Sequence, residues 1–142
     1  MMVSGILWPT FLLVALIFAV WITMFAQRGA LMRRSPPRPE DFASGEAALR
    51  YFQPVEMAAN NLRNLFEMPV LYFALVALLI VTRNANHIQE ILAWAFVILR
   101  IWHSFEHIVT KQVPRRFLAY LLSCVVLMAM WIGFAVDIAA VN

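Results

Sequence analysis

Two short clusters carry residues able to do chemistry inside an otherwise apolar chain. The first is Asn60-Asn61-Leu62-Arg63-Asn64-Leu65-Phe66-Glu67, which heads the apolar run over residues 68–81. An ionisable group in hydrocarbon costs a few kcal/mol or more, so it normally faces a protein interior and marks a function. On a helix, Glu56, Asn60, Asn64 (or Arg63) and Glu67 share one face. The second cluster is Arg100, His103 and His107, at i, i+3 and i+7, again a single face. Arg100 and Glu67 each lie about ten residues, or roughly 15 Å, from the same end of their helices. An unpaired charge at that depth is very costly, and the spacing therefore predicts that Glu67 and Arg100 pair. Asn60, Arg63, Asn64 and His103, with Arg116 and Tyr120 at the mouth of a later apolar run, add polar groups beyond what a clamp of two residues needs. Together they outline a cationic, hydrogen-bonding pocket. Arginines match carboxylates by bidentate hydrogen bonding, so an anionic, peptide-like ligand suits it.

Two other chemistries compete. The Glu67–Arg100 pair can be purely structural. His103-Ser104-Phe105-Glu106-His107 also matches H-x-x-E-H, in which two histidines four apart on a helix hold zinc and the glutamate acts as base. The third ligand would then be Glu67 or a residue elsewhere, and Arg100, one turn away, would repel the ion. Satisfied interior histidines are the simpler expectation, and Cys124 reads as a small core residue whose burial disfavours the thiolate.

The elements that must position these residues are membrane spans. The chain has 142 residues, 63% hydrophobic and 13% charged, with a mean hydropathy of +0.77. A soluble domain is closer to half apolar and about a quarter charged. The length accommodates four spans of roughly 20 residues joined by short loops, expected over residues 5–27, 54–82, 88–110 and 116–139. The first reads as a span rather than a cleavable signal peptide, lacking a basic leading segment. Residues 28–53 form a polar connection that Pro36, Pro37 and Pro39 keep from being one helix, with a short surface helix over 43–52. Pro54 is placed to open span two, and Pro69 to kink it after Glu67. Pro114 breaks the turn between spans three and four.

Basic residues set the expected orientation. Arg28, Arg33, Arg34, Arg38, Arg50 and Arg63 lie at the first connection, and Lys111, Arg115 and Arg116 at the last turn; the other side holds Arg83. The positive-inside rule puts both basic loops in the cytoplasm and both termini outside, in a bacterial inner membrane or the endoplasmic reticulum. Short loops imply an all-α, antiparallel four-helix transmembrane bundle in a single domain. No nucleic-acid motif is present.

The chain resembles the MAPEG family, membrane-associated proteins in eicosanoid and glutathione metabolism. The resemblance rests on Pro39-Glu40-Asp41, Arg63-Asn64-x-x-Glu67, Arg100-x-x-His103, and Arg116 with Tyr120, in this order and in a four-span setting. It implies a homotrimer with glutathione sites between neighbouring subunits near the cytoplasmic side. By position, Arg63, Asn64, Glu67, Arg100, His103 and Tyr120 would hold glutathione as cosubstrate. Arg116 would be catalytic, stabilising a thiolate that attacks a lipophilic electrophile arriving from lipid. The implied activity is a glutathione-dependent transferase or peroxidase; the alternatives are an accessory protein of the same fold without catalysis, and a metal-dependent membrane hydrolase. The chain departs from the family pattern at Met57, Asn60 and Asn61, at His107 in place of a common tyrosine, and at Pro69, two residues after Glu67.

Overall fold

Hydrophobic stripes at helical spacing decide the architecture. In the computed structural model, which describes residues 3–141, Ile6, Leu13 and Val20 form a buried row at seven-residue intervals along α1 (Val3–Arg34). A row at that interval keeps to one face of a helix. The opposite face bears Trp8, Phe11, Phe18, Trp21, Ile22 and Phe25, all exposed, as a lipid-facing surface requires. A turn over Pro39–Phe42 and the short helix α2 (Gly45–Phe52) follow. A tight turn over Gln53–Val55 then leads into α3 (Glu56–Leu65) and α4 (Met68–Val81), and after these come α5 (His87–Phe105) and α6 (Val113–Val141). Four helical stretches are long and apolar enough to cross a membrane: Val3–Arg34, Gly45–Val81, His87–Thr110 and Val113–Ala140. The fold is an antiparallel four-helix bundle, with no strand among the described residues.

The core lies where α5 packs on α6 and α1. Phe96 of α5 stacks on Tyr72 of α4 with ring centroids 4.9 Å apart, and both rings are fully buried. The Tyr72 hydroxyl meets Thr10 Oγ1 of α1 at 3.0 Å, so its one polar atom is satisfied. Gln89 Nε2 donates to the backbone oxygen of Met130 on α6, 3.0 Å away. Buried polar groups need partners wherever water is absent, and these pairs fix α1 to α4 and α5 to α6.

Four details differ from the expected boundaries, each for a local reason. The first helix runs on to Arg34 rather than ending near residue 27. Nothing between Arg28 and Arg34 breaks a helix; the stop comes at Ser35, whose neighbour Pro36 disfavours the α conformation before it. Pro54 lies in the Gln53–Val55 turn, so α3 opens two residues later, at Glu56. Pro69 does more than kink span two: α3 stops at Leu65 and α4 restarts at Met68, with Glu67 between them at φ −89°, ψ −97°. Proline cannot donate to residue i−4 and its ring clashes with that carbonyl, here Leu65. Pro114 falls in the first turn of α6, where its missing N–H costs nothing, so the turn between spans three and four shrinks to Lys111 and Gln112. Lys111 makes it by adopting a left-handed conformation, φ 55°.

Candidate functional site

The helix break at Phe66–Glu67 frees backbone groups, and Arg100 answers them. Its side chain is wholly buried (0% exposed), and Nη2 donates to the backbone oxygen of Asn64 at 2.9 Å. The guanidinium carbon sits 5.5 Å from the centroid of the Tyr120 ring, within cation–π range. The Glu67–Arg100 ion pair that the spacing predicts is not made. Ion pairs among the described residues join Arg28 to Glu56, Arg50 to Glu46 and His87 to Glu90. The break accompanies this: α3 ends at Leu65, Glu67 is exposed, and the Asn64 carbonyl, which also accepts from the Glu67 N–H at 3.4 Å, is the acceptor Arg100 uses.

Above Arg100 a cleft of about 230 Å³ opens, lined by Asn64, Glu67, His103, Val113, Arg116, Phe117 and Tyr120. Five of the seven residues expected at the site therefore face one space, and Arg100, outside the lining, touches two of them, Asn64 and Tyr120. Arg63 is not among the lining residues; it is exposed on the surface of α3. Glu56, expected on the same face, pairs instead with Arg28 at 3.5 Å. Asn60 is likewise outside the cleft, whereas its neighbour Asn61 is fully buried and its Oδ1 accepts from Ser104 Oγ at 3.3 Å.

His103 is held from one side. Its Nδ1 lies 3.0 Å from the backbone oxygen of Arg116. A carbonyl can only accept, so Nδ1 carries the proton, and in the neutral ring Nε2 is left as an acceptor. Nε2 is buried without a protein partner. The same bond fixes the first turn of α6, and with it Arg116, against α5.

The H-x-x-E-H run is assembled for structure. Glu106 Oε1 accepts from Trp102 Nε1 at 3.0 Å, and Oε2 is taken by the hydroxyl of Thr110. Both oxygens serve the π-helical turn Glu106–Thr110 that ends span three. The His103 and His107 rings meet edge to face at 5.6 Å. Among the described residues no group of three or more His, Cys, Asp or Glu side chains is arranged to hold a metal ion.

Sequence reasoning passed over Val113 and Phe117, the apolar wall of the cleft. They precede and follow Arg116 by three and one residues, and their place as apolar neighbours of Arg116 in the chain was the available signal. The Asn61–Ser104 bond was legible only as two polar residues on apolar faces.

The family model for the MAPEG family matches residues 6–136. The chain belongs to that family, and it is an integral, multi-pass membrane protein of the glutathione-transferase and eicosanoid-synthesis group. No curated protein and no solved structure matches it.

Proposed function

We propose that this MAPEG protein is a glutathione-dependent transferase or peroxidase that acts on a lipophilic electrophile. One observation carries the reading: Asn64, Glu67, His103, Arg116 and Tyr120 line a single cleft over the buried Arg100. The donor set suits a zwitterionic tripeptide. Arg116 and the Asn64 amide supply donors for carboxylates, and Glu67, unpaired with Arg100, supplies an acceptor for an ammonium. His103 Nε2 adds a buried acceptor that the protein leaves unused.

Arg116 is the residue we assign to activation. A guanidinium beside a thiol favours the thiolate, which is the nucleophile. The thiol proton passes to solvent. The sulfur lone pair then forms a carbon–sulfur bond as the leaving group departs with its electron pair. With a hydroperoxide, two glutathiones become a disulfide and the peroxide becomes an alcohol and water. Phe117 and Val113 give the electrophile an apolar approach from lipid.

At about 230 Å³ the cleft is smaller than the roughly 300 Å³ at which ligand sites begin. A second subunit closing over it would complete the site, in keeping with a homotrimer whose glutathione sites lie between subunits. Arg63, exposed on α3, is then available to a ligand shared with a neighbour. The test is turnover of glutathione with a lipophilic aryl halide or a lipid hydroperoxide by the purified protein. Arg116→Ala is expected to cut the rate by on the order of 10²–10³, as loss of a preorganised charge partner does. Equal turnover by both proteins would refute the assignment.

A further inference from the structure

A cavity larger than the cleft lies elsewhere, at the end of the bundle where the basic residues gather. It measures about 470 Å³ and lies between the last turns of α1, the start of α3 and the π-helical end of span three. We infer that it binds the headgroup of an anionic phospholipid, with Arg34 and Lys111 gripping the phosphate and Leu31, Val55 and Ile108 packing against the glycerol backbone. Three observations support this.

The first is charge. Arg34 and Lys111 both line the cavity, and no Asp or Glu does. Neither forms an ion pair among the described residues. Glu56, between the lining residues Val55 and Met57, is engaged by Arg28 at 3.5 Å. Two uncompensated cations from different elements therefore face one space. A guanidinium bonds phosphate in bidentate fashion and an ammonium adds a point charge.

The second is depth. The apolar run of α1 ends at Gln27, and the wall residues Ala30, Leu31 and Arg34 follow it on the same helix. They lie one to two turns, roughly 5–10 Å, beyond the hydrocarbon edge, which is where headgroups sit. The third is shape with chemistry. The lining joins apolar Leu31, Val55, Met57 and Ile108 to two cations, which matches a headgroup carrying its glycerol backbone better than a free anion. Basic pockets between helices at this level select anionic lipids in other membrane proteins.

Lys111 is positioned for the role by the backbone. Its left-handed conformation, φ 55°, ends span three and turns the chain into α6, and Lys111 lines the cavity at that turn.

Native mass spectrometry tests the inference. Protein is released from mixed micelles holding equal amounts of dioleoyl phosphatidylglycerol and dioleoyl phosphatidylcholine, and retained lipid is counted. Wild type is expected to keep phosphatidylglycerol in preference. The double variant Arg34→Gln/Lys111→Gln should lose that preference by roughly thirtyfold, the effect of removing two basic groups from an anionic headgroup. Leu31→Trp, which fills the cavity and keeps both charges, should lose it too, and carries the test if the double variant does not fold. Arg38→Gln, outside the cavity, should behave as wild type. Unchanged retention in the folded variants would overturn the proposal. So would an equal loss in Arg38→Gln, which would mean diffuse attraction, or displacement of the lipid by excess inorganic phosphate, which would mean a free-anion site.

Discussion

Arg100 and Arg116 divide the electrostatic work of the site between them. Arg100 is buried, bonded to the Asn64 carbonyl and set against the Tyr120 ring. It holds the broken helix in shape. Arg100→Ala would remove the shorter of that carbonyl's two hydrogen bonds and open a void, and a loss of about 2–4 kcal/mol is expected, seen as a lower melting temperature in detergent. Arg116 is only half-buried and lines the cleft. Its removal should spare stability and strike the rate. Comparing melting and turnover in the two variants separates the roles. If Arg116→Ala melts as early as Arg100→Ala, the division fails. At this scale the sequence was informative about which residues meet, since polar side chains stranded in apolar runs stand out. It misled about how they meet. Spacing along ideal helices paired Glu67 with Arg100, and the pairing depends on a helix that Pro69 interrupts.

Among the elements, the break between α3 and α4 decides the site. It exposes the Asn64 carbonyl to Arg100 and releases Glu67 into the cleft. Pro69→Ala removes the steric reason for the break. The two helices should then join, returning Glu67 to a continuous helical face and withdrawing the Asn64 carbonyl into its own helix. The expected outcome is a protein that melts no lower than wild type but has lost glutathione binding at least tenfold. A variant with wild-type affinity would show that the break is incidental. The π-helical turn Glu106–Thr110 is the second such element. Glu106→Gln keeps the Trp102 bond but weakens the charge-assisted bond to Thr110. A lower melting temperature than wild type is expected. Spans of apolar residues announced themselves in the sequence, but neither irregularity did. Pro69 announced a kink but not a full break, and the π-turn rests on the Glu106 side chain bonding Trp102 and Thr110 within its own helix, contacts that helical spacing alone does not reveal.

For the whole molecule, the apolar exterior and the small cleft point the same way. Val70, Leu71 and Leu78 of α4 are exposed on the bundle surface, beside a groove formed with Leu127, Met128 and Trp131 of α6. A homotrimer would cover such faces and close the cleft. Native mass spectrometry from detergent should give a trimer, and a monomer that still turns over glutathione would contradict the shared site. The bundle itself was legible because lipid forces each span to satisfy its backbone internally, leaving a four-helix solution for this length. The family followed from motif order. Activity does not follow from fold, and Met57, Asn60 and Asn61 lie on α3, the helix that ends at the site.

The central claim is that the cleft takes glutathione and that Arg116 makes it a thiolate. Isothermal calorimetry of glutathione binding, repeated in buffers of different ionisation enthalpy, measures affinity and proton release together. Wild type should bind at millimolar glutathione or below and release the thiol proton at neutral pH. Arg116→Ala should still bind, with the proton retained. No binding heat at millimolar glutathione, or the same proton release from both proteins, would contradict the account.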